Sequence, residues 1–162
     1  MENRYVLLLG SNVGDRLKIL SNARQELARV IGHIISVSHV YETEAWGGIA
    51  QKAFLNQVLI IYSLLDPFAV LEKILMIEQE NGRVRKERWS SRTLDIDILY
   101  FNKDIIQTEF LVIPHPELHK RRFTLKPLVE VDPDYVHPLL QLQNSQLLAN
   151  CQDFLPVKII EA

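Results

Sequence analysis

A single cysteine, Cys151, stands in 162 residues, so no disulfide can form within the chain and nothing calls for an oxidising compartment. No apolar run approaches the roughly 18 residues that a membrane helix needs. Near the N-terminus five apolar residues, 5–9, run straight into Gly10-Ser-Asn, too short and wrongly laid out for a secretory leader. Positive charge is not in excess either. A net charge of −2 lacks the broad field of a nucleic-acid coat. A cytoplasmic protein with neither membrane nor nucleic-acid partners is the expectation. No internal repeat, low-complexity tract or linker interrupts the chain, so residues 1–162 read as one domain. No Gly-Lys-Ser/Thr follows "GSNVGDR" (10–16). That excludes a Walker A loop and leaves the motif as a turn into a helix. Cys151 lies outside every motif and is expected to pack as a small hydrophobe.

What is present is ordinary globular material, 48% apolar and 23% charged, with patterns that change along the chain. Residues 5–9, short and wholly apolar, predict a buried strand ended by Gly10. Leu17, Leu20, Ala23, Leu27 and Val30 recur at helical spacing, with Gly32 as a stop. Residues 33–43 are β-branched and partly alternating, and 54–62 again read as a strand. Asp66-Pro67 is a helix start, an N-cap residue before a proline at the first helical position. Phe68, Leu71, Ile74 and Leu75 give that helix an apolar face, and Gly82 ends it. A strand over 94–101, a hairpin turn at Asn102-Lys-Asp104 and a short strand at 105–106 follow. Five of the seven prolines fall between 114 and 138, which predicts short helical turns and loops there. A last helix is expected over 145–154. The order β-α-β-β-α-β with C-terminal additions predicts an α+β, ferredoxin-like fold: an antiparallel β-sheet with helices packed on it.

The most informative stretch is "RVRKERWSSRTLDIDILY", residues 83–100. Alternate side chains of a strand point to opposite faces, so Leu94, Ile96 and Ile98 share one and Asp95 and Asp97 share the other. The two aspartate Cα atoms should lie about 6.6–6.8 Å apart. Like charges that close are unfavourable unless a cation lies between them or one carboxylate is protonated. Aspartate is also a poor strand former. By spacing alone a solvated outer face and a metal site both fit, and an all-oxygen pair would suit Mg²⁺. Just before the pair, Arg83, Arg85, Lys86, Arg88 and Arg92 against Glu87 concentrate positive charge. A basic run alone is usually solvated. Beside two acids, a Mg²⁺-bridged polyphosphate accounts for both halves, with the metal on the carboxylates and the arginines on the remaining charge. Such a loop should repel itself without ligand and close over bound nucleotide. An RNA-binding role for Trp89 and the cations suits the basic loop, but without metal the aspartates would repel phosphate.

These motifs, "RVRKERW..RTLDIDILYF" with "IPHPELHKRRFTLKPLVEV" after it and "LGSNVGDR" and "YETEAWG...AFLNQV" before it, resemble the 6-hydroxymethyl-7,8-dihydropterin pyrophosphokinases of folate biosynthesis. The match runs from about residue 7 to 138. It implies a cytoplasmic enzyme with a ferredoxin-like α/β fold. Such an enzyme moves pyrophosphate from ATP to the pterin hydroxymethyl group with two Mg²⁺ ions and releases AMP. Asp95 and Asp97 then match the metal-bridging acids, with Asp97 also near the pterin hydroxyl. Arg83 and Arg92 match arginines on the ATP phosphates, Arg92 mattering most during transfer. Arg85, Lys86 and Trp89 match the closing loop, His115 and Arg121 further nucleotide contacts, and Glu78 an acid near the adenine end. Thr43, Trp46, Phe54, Asn56 and Phe123 match the pterin pocket, Phe54 and Phe123 as the two plates around the ring. Asn56 is suggestive by itself, because an amide inside an apolar strand needs partners and a pterin edge offers them. Ser90-Ser91 stands where Gly-Pro is common, without the fixed φ of proline. Nothing in the sequence calls for a second copy, and a monomer is expected.

Overall fold

The computed structural model describes residues 1–43, 53–81 and 93–160. Its elements are β1 (Asn3–Ser11), α1 (Arg16–Val30), β2 (His33–Val37), β3 (Val40–Thr43), β4 (Phe54–Ser63) and α2 (Pro67–Glu80), then β5 (Asp95–Phe101), β6 (Ile106–Gln107), β7 (Val112–Ile113), α3 (Arg122–Val131), α4 (Asn144–Ala149) and β8 (Val157–Ile160). The main sheet runs β5-β1-β4-β3-β8, with β2 also on β4, and every pairing is antiparallel. The predicted α+β architecture is observed.

Both sheet faces are covered. On the first, Leu7, Leu9, Leu59, Ile61, Ile96 and Ile98 meet α1 and α2 through Leu20, Leu27, Val70 and Ile74. On the second, Val6, Leu8, Val58, Ile60 and Leu99 meet α3 and α4 through Leu125, Leu128 and Leu147, with Cys151 just after α4 in the same cluster. Two-sided burial explains why β1 is an unbroken apolar run. Each fully buried leucine contributes about 1.5–3 kcal/mol. Cys151 packs as a small hydrophobe, as its position in the sequence suggested.

Several boundaries differ from the sequence reading. β1 continues through Gly10 to Ser11. Residues 33–43 break into two strands at Ser38, whose Oγ accepts a bond from the Val58 amide (3.0 Å). Gly32 is required by close packing, not by the helix end: a Cβ there would lie 1.8 Å from the Tyr62 carbonyl oxygen. On α2 the buried face is Val70, Ile74, Ile77 and Glu78, while Phe68 and Leu75 are exposed. β6 pairs with β7 instead of folding back on β5. The proline-rich region holds a full ten-residue helix, α3, with Pro127 inside it. The last helix is shorter than expected, and β8, which the sequence did not reveal, follows it.

The sheet's second face carries a buried polar cluster. Tyr100 stacks at 4.2 Å on Tyr135 and donates to Asn144 Oδ1 (2.7 Å). His137, edge-on to Tyr100 and His119, accepts at Nδ1 from the amides of Leu139 and Leu140 (3.2 and 3.0 Å). Burial, helped by His119, lowers the His137 pKa from 6.5 to about 4. Between those values the unfolded chain binds the extra proton. The stabilisation is therefore complete above pH 6.5 and fades as pH falls towards 4, at up to about 1.4 kcal/mol per unit. His137→Asn, which keeps a neutral acceptor, should flatten that part of the pH dependence in denaturant titrations between pH 7 and 4.5. An unchanged slope would refute the assignment.

Candidate functional site

Towards one end of the second face the strand registers bring predicted residues of β3, β4 and β5 together. Asp95 pairs with Gly10, Gly10 with Asn56 and Asn56 with Tyr41. This makes one continuous rung across four strands. Two residues on towards the sheet end, Phe54 pairs with Thr43. Asp97, two residues the other way, pairs with Leu8. Side-chain alternation therefore places Asp95, Asp97, Asn56, Phe54 and Thr43 on the same face. Both aspartates are half-buried, while Ile96 between them sits in the first core.

Gly10 forms the floor of this region. A Cβ there would come within 2.8 Å of Asn56 Oδ1, so the missing side chain lets the buried Asn56 amide lie over the strand. Asn56 and Asp95 stand on the two strands that flank Gly10, each one strand spacing of about 4.8 Å from it. Thr43 is buried, and its Oγ1 finds no hydrogen-bond partner among the described residues. A buried hydroxyl left so costs about 1–3 kcal/mol unless something bonds it.

The segment before α3 closes the region from β5's side. His115 donates its amide to the Leu99 carbonyl (3.0 Å), and its Nδ1 accepts from the Glu117 amide (3.1 Å). Its proton then belongs on Nε2, which lies 4.0 Å from Asp97 Oδ2. Burial holds the His115 pKa below the ordinary imidazole value. Asp97 pulls it up and Arg121 pushes it further down. Arg121 precedes α3, with its guanidinium carbon 5.7 Å from the Phe123 ring centre. Phe123 is half-buried against the second core.

Glu78 lies elsewhere. It is buried on α2, and its Oε2 accepts from the Ile96 amide (2.8 Å). An acid thus braces the backbone between the two aspartates, because the buried face of α2 is rotated from the one the sequence suggested. Trp46, Arg83, Arg85, Lys86, Trp89 and Arg92 lie outside the described residues, and the closing loop falls there too. Sequence reasoning missed Gly10. Its signal was a glycine continuing the strand's alternation on the aspartate face, read instead as a stop.

Among the described residues, no three His, Cys, Asp or Glu side chains gather to hold an ion by themselves. A carboxylate pair with oxygen donors alone fits Mg²⁺, which keeps several waters and takes substrate phosphates as its other ligands. Among the described residues no helix is long and apolar enough to cross a membrane.

The family model described as 7,8-dihydro-6-hydroxymethylpterin-pyrophosphokinase (HPPK) matches residues 6–133. The 2-amino-4-hydroxy-6-hydroxymethyldihydropteridine pyrophosphokinase of Aquifex aeolicus is 43% identical over 131 residues, covering 81% of each chain. That of Bacillus subtilis is 44% identical over 135 residues, 81% of this chain and 79% of its own. Among solved structures, wild-type Plasmodium falciparum HPPK-DHPS superposes with a TM-score of 0.75 at 18% identity. That match covers 92% of this chain but only 44% of the larger one, and it speaks for the fold alone.

Proposed function

We propose, from the premise that this chain belongs to the 7,8-dihydro-6-hydroxymethylpterin-pyrophosphokinase family, that the end of the sheet carrying Asp95, Asp97 and Asn56 is where its two substrates meet. The enzyme transfers pyrophosphate from ATP to the hydroxymethyl group of 6-hydroxymethyl-7,8-dihydropterin in folate biosynthesis. The hydroxymethyl oxygen attacks the β-phosphorus. A new P–O bond forms there, the bond to the α-phosphate oxygen breaks, AMP leaves and the hydroxyl proton is released.

The pterin ring lies on Gly10 between Phe54 and Phe123. Asn56 reads its polar edge, and the Thr43 hydroxyl gains the partner it lacks. The single observation that carries this reading is the rung Asp95-Gly10-Asn56, which sets an amide and a carboxylate on the two strands flanking a glycine. Asp95 and Asp97 would hold Mg²⁺, two ions by family likeness, which when bound neutralises phosphate charge and orients its oxygens. Asp97, the acid nearer His115, takes the hydroxymethyl proton. His115 Nε2–H and Arg121 donate to ATP oxygens, and Arg83, Arg85, Lys86 and Arg92 neutralise the rest of the triphosphate. Trp89 belongs to the same segment and closes over the ring. The protein acts as a monomer in the cytoplasm, and its catalysis is positioning and charge neutralisation.

The direct test is to incubate the protein with ATP, Mg²⁺ and the pterin and resolve the nucleotide products. AMP with pterin diphosphate is expected. ADP with a pterin monophosphate would overturn the proposal.

A further inference from the structure

We infer that Arg16, the last residue of "GSNVGDR", is a positioning residue for the pterin pocket, tying together the two chain ends that carry Thr43 and Phe54. The inference rests on the pterin placement proposed above.

Arg16 opens α1, after Asp15 caps the helix by accepting from the Lys18 amide (3.2 Å). One guanidinium nitrogen, Nη1, carries two protons. It donates one to Glu42 Oε2 (3.0 Å) and the other to the Ala53 carbonyl (2.7 Å). Glu42 is the neighbour of Thr43 on β3, and Ala53 the neighbour of Phe54 before β4. Thr43 and Phe54 form the last paired rung among the described residues. Strand ends fray when nothing beyond the last rung holds them. Arg16 braces that rung from the opposite face, holding Glu42 on the rung just inside it, where Glu42 pairs with Leu55, and Ala53 one residue outside it.

The ion pair is partly buried, with side chains 24% and 35% exposed. One partner is a backbone carbonyl that no side-chain change can move. The sequence reading treated the motif as a turn alone. The second face offers a counterpart that steadies the same strand. Glu130 on α3 accepts from the Tyr41 hydroxyl (2.7 Å) and the His39 amide (3.1 Å). That contact leaves the Ala53 side of the rung untouched, whereas Arg16 bonds to both strands.

The test compares Arg16→Ala, Arg16→Lys and Asn56→Ala in steady-state kinetics for each substrate, with amide hydrogen exchange at Thr43, Phe54 and their neighbours. Arg16→Ala should raise KM for the pterin about tenfold, the scale of a lost charge-assisted hydrogen-bond pair. KM for ATP and kcat should stay within about twofold, and the terminal rung should exchange faster. Arg16→Lys, able to reach one acceptor, should recover part of the loss and keeps the test open if the alanine variant folds poorly. Asn56→Ala should also raise the pterin KM. If it does while both Arg16 variants leave that KM unchanged, the inference fails and the pocket stands. If neither residue affects it, pocket and inference fall together. Equal rises in KM for both substrates would mean general damage and would overturn the positioning role.

Discussion

Replacing Asp97 by alanine should reduce AMP formation at saturating substrate by about 10³-fold or more, the scale of losing a main electrostatic contributor to the transition state. The fold should survive. Asp97 lies on the second face with 42% of its side chain exposed. Its removal opens no cavity in either core. The cooperative unfolding transition should therefore be kept. The reason for the rate loss is specific. In this account one carboxylate helps to hold the metal that carries the phosphates and also receives the hydroxymethyl proton. An alanine loses both roles, whereas Asp97→Asn keeps the shape and loses the charge and the basicity. The asparagine variant should therefore be nearly as inactive. Thermal melts and AMP release measured on the same preparations check both halves. Turnover near wild type in either variant would remove Asp97 from the site.

Gly10→Ala should raise KM for the pterin by about 30-fold or more, for two reasons that add. The new methyl stands where the ring is to lie. It also meets Asn56 Oδ1 at 2.8 Å, closer than real Cβ contacts come, so the buried amide must turn away from its hydrogen-bonding direction. A misdirected buried amide forfeits about 1–3 kcal/mol of bonding to its ligand. Nucleotide binding, on the other side of the aspartates, should change little. The check is a pair of titrations, pterin and a non-hydrolysable ATP analogue, each against the variant. Equal weakening of both would mean a distorted sheet; an unaffected pterin would mean that Gly10 is not its floor.

Much of this was legible in the sequence because the sheet imposes period two. That rule put Ile96 and Ile98 into one core and left Asp95 and Asp97 together on the other face. The strong cap at Asp66-Pro67 also marked the start of α2 correctly, its Oδ1 accepting from the amides of Phe68 and Ala69. What the chain did not disclose depends on contacts between distant residues. Gly10 and Gly32 look like punctuation until Asn56 and Tyr62 are set beside them. Glu78 looks like a surface acid because Phe68 and Leu75 mimic the buried stripe of α2, while packing against the sheet selects Val70, Ile74 and Ile77. β8 is four residues long and earns its place only by pairing with β3. Arg16 gives no signal at all before Glu42 and Ala53 converge on it.

The central claim is that the β5 carboxylates bind divalent metal only together with the nucleotide tail. Electron paramagnetic resonance of Mn²⁺, titrated with and without a non-hydrolysable ATP analogue, measures this directly. In the wild-type protein the account predicts two tightly held ions that appear only with the nucleotide, the pattern of a two-metal phosphate site, and their loss in the Asp95→Asn/Asp97→Asn double variant. Nucleotide-dependent Mn²⁺ binding of unchanged stoichiometry and affinity in that double variant would contradict it.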